Sequence, residues 1–343
     1  MRRILITGVA GLVASNLAHW ILENTDDEII GVDNLSGGAI DNIPPRSSRF
    51  VFYLNNVEDE AMDKIFAVHK PTHVVHAAAY AAECLSPFMR KYNIASNLMT
   101  SANVVNNCIN HDIERLLFFS SVAVYGEGTP PFPEELTPSP IDCYGIAKYA
   151  VELDLKVAGQ QHGLDWVVCR PHNIYGTRQV YWDRYRNVVG IFMFNYMRGL
   201  PLTIFGDGQQ KRAFSYIDDN TPIFYKALVQ ENCSKQIINV GGIYENTILE
   251  MAETLIEVFE ADGSHYGKPS IEHLAPRHEA KYAYPTYQKS IDLLGYEHKT
   301  DLKTGLTRMW EWAKNDYTLN HRKQLSFDQY EIEKKLHPHW KNT

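Results

Sequence analysis

The sequence predicts an α/β protein: a doubly wound parallel sheet with helices on both faces, followed by a smaller mixed α/β C-terminal lobe that would bind substrate. Two observations carry this expectation. Short apolar runs alternate with stretches of helical periodicity from the first residues onward, the pattern of a parallel sheet buried on both sides. The chain is also 343 residues long, more than one hydrophobic core usually serves, so a second lobe is expected.

The elements follow in order. Residues 4–6 form an apolar run closed by Thr7-Gly8, and residues 12–22 show helical spacing through Leu12, Leu17, Trp20 and Ile21. Further strands are predicted at 28–32, 50–54, 73–76, 115–119 and 166–170, with helices at 58–69, 87–110 and 144–162. Beyond Pro171 the alternation fades. Residues 181–186, rich in aromatic and charged side chains, read as a loop, either a substrate lid or a solvated connection. Residues 188–198 look helical, Leu200-Pro201 and Gly206-Asp207-Gly208 mark turns, 237–240 reads as one more strand of the main sheet, and 250–259 and 302–314 are amphipathic helices. The expected division is a dinucleotide-binding domain over 1–176 with a return strand near 237–240, a substrate lobe over 177–320, and a charged, peripheral tail over 321–343.

Composition narrows the function. The formal net charge is -8 and no Lys/Arg cluster stands out, so nucleic acid is not an expected partner. No stretch is apolar and long enough to span a membrane. The five cysteines are scattered without a C-x-x-C pair, which points to reduced thiols in a cytoplasm; no disulfide frame and no metal site are expected.

Residues 7–14, Thr7-Gly8-Val9-Ala10-Gly11-Leu12-Val13-Ala14, join the first strand to the first helix as G-x-x-G-x-x-A. The first glycine allows the reversal, the second lets backbone approach a pyrophosphate, and the small third residue lets helix and strand pack closely. The helix start offers unpaired N–H groups to phosphate. Asp33 ends the second strand, where a carboxylate hydrogen-bonds adenosine ribose hydroxyls and repels a 2′-phosphate. Strand, turn, helix and acid in register predict a Rossmann-type domain that binds NAD rather than NADP.

Ser120-Ser121 follows the fifth strand, and Tyr144 and Lys148 stand at i and i+4 on the next helix, on one face. A free phenol titrates near pH ~10. The Lys148 ammonium and a positive nicotinamide ring are expected to lower Tyr144 and make it a usable base. Ser121 is positioned to hold the same substrate hydroxyl.

With these motifs the chain resembles the extended short-chain dehydrogenases/reductases, in their nucleotide-sugar epimerase/dehydratase branch, and most of all the UDP-glucose 4-epimerases. The similarity runs from Arg3 to about Lys314, and rests also on His76-Ala77-Ala78-Ala79, Arg170-Pro171-His172-Asn173-Ile174-Tyr175-Gly176, Phe205-Gly206-Asp207-Gly208 with Gln209-Gln210-Lys211-Arg212, and Tyr216-Ile217-Asp218-Asp219. The resemblance implies that Tyr144 takes the proton of the sugar 4-hydroxyl, Lys148 binds the nicotinamide ribose and Ser121 the sugar hydroxyl. It implies Gly8, Gly11, Leu12, Val13, Asp33, Asn34, Ser36, Gly37, Asn56, Val57, Ala77, Ala78, Ala79, Asn97 and Pro171 at the cofactor. Asn173, Asn187, Val188, Thr203 and Phe205 would contact the sugar nucleotide, with Arg212 and Arg277 clamping its diphosphate. It implies a homodimer built through the helices near 87–110 and 144–162.

The chain departs from the family in three places: Asn55-Asn56-Val57 replaces Gly-Asp-Ile/Val after the third strand, Ala14 replaces a glycine, and Leu12 replaces an aromatic. Relatives that dehydrate the sugar carry an Asp-Glu pair after the catalytic Ser/Thr; here Val122 and Ala123 stand there, and neither exchanges protons. A 3,5-epimerase would have Cys in place of Ala123. Simple 4-epimerisation of a UDP-hexose, with NAD retained, is the leading expectation. An NAD-dependent C4 dehydrogenase or reductase, or another epimerase, of a modified GDP- or CDP-linked sugar, and a non-catalytic NAD-binding regulator, remain open. His172 and Tyr284 are expected to be packed side chains.

Overall fold

The computed structural model describes residues 1–341. Seven strands form one all-parallel sheet: β1 (Arg3–Thr7), β2 (Glu28–Asp33), β3 (Phe50–Leu54), β4 (His73–His76), β5 (Arg115–Phe119), β6 (Trp166–His172) and, after four short strands of the lobe, β11 (Gln236–Gly241). The spatial order is β11-β6-β5-β4-β1-β2-β3. Thr7 is in register with both Val32 and His76, so the strand ends line up along one edge. The order reverses between β1 and β4, which opens a crevice at the carboxyl edge where ligands of such sheets bind.

Alternation along the strands divides the core in two. Ile4, Ile6, Val75, Leu117 and Val167 face Leu17 and Ile21 of α1 (Leu12–Asn24). Leu5, Val74, Leu116 and Val168 face Met62 and Phe66 of α2 (Ala61–His69), beside Val104 and Leu155. The helix predicted over 87–110 is interrupted. A helical turn, α3 (Arg90–Ile94), passes through a wider π turn over Ala95–Met99 into α4 (Thr100–Asn110). Such insertions are common where a helix borders a functional site, and Ala95, Ser96 and Thr100 line the crevice. Helix α5 (Cys143–His162) completes this face.

The lobe adds β7 (Ile174–Tyr175) paired with β10 (Ser215–Tyr216), β8 (Leu202–Phe205) paired with β13 (Ile271–Leu274), and β9 (Lys211–Ala213) between β12 (Glu245–Thr247) and β14 (Tyr282–Ala283). Helices α6 (Val188–Met197), α8 (Ile248–Ala261), α9 (Gln288–Leu294) and α10 (Leu302–Asn320) surround them. Helix α7 (Ile217–Val229) had no counterpart in the sequence reading, because polar residues 218–221 and Pro222 hide its apolar stripe. Its Phe224 meets Phe119 of β5 edge-on at 4.7 Å, so it covers the main sheet although it follows lobe strands in the chain.

Two surface expectations change. Residues 181–184 are buried, with Tyr181 donating to Asp316 Oδ2 at 2.8 Å and Arg322 lying 4.4 Å over the Trp182 ring, so this segment is not a solvated loop. The charged tail is not peripheral either. Its Leu336 and Trp340 are each 4% exposed, packed with Phe327 and Tyr330 against Phe88, Tyr92 and Tyr185. Apolar residues spaced widely among charges conceal this face. The last short helix, α11 (Pro338–Lys341), brings Trp340 to the rim of the crevice.

Candidate active site

The crevice is a cavity of about 610 Å³ running from the glycine turn to the lobe. Gly8 has φ 72°, and a Cβ there would stand 2.7 Å from Ala78 N, so only glycine fits between β1 and the 77–79 segment. Gly11 caps α1 without any side-chain cap, and Leu12 and Val13 border the cavity, so the first-turn amides are available to phosphate. Asp33 Oδ2 accepts from Ala10 N at 2.9 Å and Oδ1 from Leu35 N at 2.7 Å. Burial raises its carboxyl, and those two amides oppose the rise. Asn34 donates to Asn56 Oδ1 at 2.9 Å, which commits the carbonyl of the residue that replaces the family's Asp. These features fit NAD: a close-approach turn, open helix amides and a held carboxylate at the end of β2.

Ser121, two residues past the end of β5, caps a short 3₁₀ turn over Val122–Tyr125, its Oγ accepting from Ala123 N at 3.1 Å. Its own O–H remains to donate, and Tyr144 takes part in a hydrogen bond with it. Tyr144 opens α5, where Asp142 caps the helix and Ser86 Oγ accepts from Tyr144 N at 3.1 Å. Lys148, one turn on, donates to Phe119 O at 2.8 Å with Nζ 5.7 Å from the Tyr144 ring centre. One further turn along, Glu152 accepts from Ser120 and pairs with Arg170 at 2.6 Å; both members of that pair are almost fully buried.

The expected lowering of the Tyr144 phenol is reversed in the protein itself. Burial raises it, the Glu83 carboxylate adds to the rise, and the Ser121 hydrogen bond opposes it. Burial also pushes the Lys148 ammonium down to about 7, against the pull of Glu152, which weakens the cation counted on to help.

At the lobe end, Asn173 lines the cavity with a buried, unpartnered Nδ2. Asn187 spends its side chain locally, capping α6 through Val189 N and donating to Ile174 O at 2.7 Å. Val188, Thr203 and Phe205 line the wall, and Pro171 borders the strand end. Arg277 lies 4.2 Å over the Phe205 ring and bonds Glu279 at 3.1 Å; Arg212 stands 3.7 Å from the same carboxylate. Glu279 thus sits between the two guanidiniums, and Glu83 also feels their charge.

Every candidate named from the sequence lines this cavity except Asn97. Asn97 is fully buried in the π turn and donates to Asn93 O at 3.0 Å and Tyr80 O at 3.3 Å, behind the wall. His172 is buried and bonded to Gly242 O at 3.0 Å, with burial pushing it down to about 4, as befits a packed neutral imidazole. No local pattern marks the lining residues Glu83, His339 and Trp340. Gln210, part of the 205–212 motif, also lines the cavity, and Arg186 donates to Gly37 O at 3.0 Å, carrying the 181–186 segment across to the dinucleotide side.

A dinucleotide turn feeding a buried Ser/Tyr/Lys set at the switch point of a parallel sheet defines an extended short-chain dehydrogenase/reductase. The sequence profile of the NAD dependent epimerase/dehydratase family matches residues 4–241. The chain belongs to that family, and is an enzyme with NAD as cofactor. It is 30% identical over 336 residues to a UDP-glucuronate 4-epimerase of Thermodesulfobacterium geofontis, covering 92% of this chain and 97% of the relative. The fold matches UDP-glucose 4-epimerase from Thermotoga maritima with UDP-glucose (31% identity, TM-score 0.82, 93% of this chain and 100% of that one). It matches equally UDP-glucuronic acid 4-epimerase from Bacillus cereus with UDP-glucuronic acid and NAD (26% identity, TM-score 0.84, 92% and 100%).

Proposed function

We propose that the protein is a nucleotide-sugar 4-epimerase that inverts C4 of a UDP-hexose through a transient 4-keto sugar. The observation that carries this is the layout of the cavity: Ser121, Tyr144 and Lys148 border the same cavity as Arg212 and Arg277. Such a layout suits a sugar with its reacting carbon at Tyr144 and its diphosphate at the guanidiniums, whose fork matches phosphate oxygens. Ser121 donates to the sugar O4 and orients it. Tyr144 accepts the 4-hydroxyl proton and later returns it. Lys148, fixed by Phe119 O, holds the nicotinamide ribose. NAD held by Gly8, Gly11 and Asp33 would supply a reversible hydride acceptor for C4. Val122 and Ala123 offer no acid or base for an elimination, so oxidation and re-reduction make up the whole reaction.

Incubation of the purified protein with UDP-glucose, UDP-galactose and their N-acetyl forms, without added NAD, tests the reading. Interconversion of one C4 pair is expected. A keto sugar accumulating with an equivalent of NADH would make it a dehydrogenase instead. No reaction on any pair by NAD-loaded protein would end the proposal.

We also infer a homodimer, supported by an exposed apolar stripe on the expected helices. Ile146, Leu153 and Val157 of α5 are 54%, 45% and 53% exposed, next to Ile94 and Met99 at 47% and 57%. The three on α5 fall on one helical face, and exposed apolar patches of this kind mark interfaces. Light scattering should give twice the chain mass for the wild type and the single mass for Leu153→Glu with Val157→Glu; a monomeric wild type refutes it. The same reading sets the protein in the cytoplasm, in keeping with five cysteines that are all free.

A further inference from the structure

We propose that Glu83 sorts the sugars: its carboxylate stands beside the ring compartment and turns away nucleotide sugars that carry an acid group on the ring, leaving those without one as substrates. This rests on the epimerase reading and narrows it.

Glu83 lies in the segment after β4 that leads into α3, on the cavity wall with its side chain open to the space. Its carbonyl accepts from Ser86 Oγ at 2.8 Å, but among the described residues its carboxylate makes no hydrogen bond and no ion pair; it feels Asp142, Arg212, Glu279 and Arg277 only through their charge. Of the other wall acids, Asp33 is held by two backbone amides and Glu279 by Arg277 and Gln210, while Glu58 lies at the far end beside Asn56 and Val57. The Glu83 charge reaches Tyr144 on one side and the arginine pair on the other. Those two points bracket the hexose in the proposed pose, C4 at Tyr144 and the diphosphate at Arg212 and Arg277. A free carboxylate beside that bracket has few roles open to it.

Ring hydroxyls are donors, and a carboxylate accepts several at once. A neutral hexose therefore gives the Glu83 carboxylate hydrogen-bond donors that no protein group supplies. A uronate carboxylate brings acceptors only. It would also add a third negative charge to Glu83 and Asp142, and like charges held close repel. The cleft raises the Glu83 carboxyl to about 7, through burial first and Asp142 second, with Arg212 and Arg277 opposing. Sorting should therefore be fullest above that value. The other titratable groups near this space are Tyr144, Cys84, Glu279 and His278, which acts on Asp142.

The test is kcat/KM of the NAD-loaded enzyme for UDP-glucose and UDP-glucuronate at about pH 8.5. The wild type should favour UDP-glucose by at least ~100-fold, the size of a like-charge clash. Glu83→Gln should narrow that ratio at least ~10-fold, with an absolute gain on UDP-glucuronate, which a merely structural role would not produce. Equal use of both sugars by the wild type overturns the proposal, as does a Glu83→Gln enzyme that loses UDP-glucose activity without gaining the uronate. If neither sugar is turned over, the epimerase reading fails by itself. Calorimetric binding of the two to the holoenzyme then decides the sorting: tighter UDP-glucose, reversed or levelled by Glu83→Gln, supports it, and equal affinities refute it.

Discussion

Tyr144→Phe should lower kcat by about 10²–10⁴-fold, the usual worth of a placed acid–base group, while NAD stays bound and the fold stays intact. The ring packs the same way without its hydroxyl, because the local structure is held by backbone and neighbours: Asp142 caps α5, and Ser86 accepts from the Tyr144 N–H. What is lost, on the proposed reading, is the group that takes the proton from the sugar 4-hydroxyl. Burial and Glu83 raise the phenol in the protein itself, so the deprotonated base gains population as pH rises. Wild-type activity should climb with pH, and that limb should vanish in Tyr144→Phe. A variant with kcat within a few-fold of wild type would remove Tyr144 from the chemistry.

Glu152→Ala should be the most destabilising single change near the site, by about 3–5 kcal/mol, because it strands a buried guanidinium. Arg170 is 1% exposed and bonds both Glu152 oxygens, at 2.9 and 2.6 Å; the remaining contacts are the Tyr125 ring at 4.7 Å and a long bond to Glu134 O. Neither neutralises its charge. Ser120 loses its acceptor in the same step. Replacing both charges, as in Glu152→Leu with Arg170→Met, should restore much of the loss, since apolar packing often equals a buried pair. Urea unfolding of the three proteins measures this. A single variant within 1 kcal/mol of wild type would mean that water or a neighbour reaches Arg170.

The legible parts were those where short sequence reports local physics. Strands β1 to β6 are apolar runs, all but the edge strand β3 buried on both faces, and their ends fall within a residue or two of expectation. The glycine turn and the Tyr144/Lys148 step are fixed by spacing alone. Features that depend on distant partners were not legible. Arg186 meets Gly37 across 149 residues of chain. Trp340 comes back from the far end to pack near Phe88 and Phe205. Asn97 fell on a helix as expected, but the wider π turn leaves it bonded to Asn93 behind the wall. Pro222 and the acids around it masked α7. In the protein without the nicotinamide charge, burial, which sequence does not reveal, outweighs a lysine that is itself pushed toward neutrality.

The central claim is that hydride leaves C4 and returns to the same carbon. UDP-galactose deuterated at C4, incubated with the purified protein without added nicotinamide cofactor and followed by NMR, tests it directly. The account predicts UDP-glucose with deuterium still on C4 and no net NADH. Product that has lost its label to water, or a keto sugar formed with one equivalent of NADH, would contradict it.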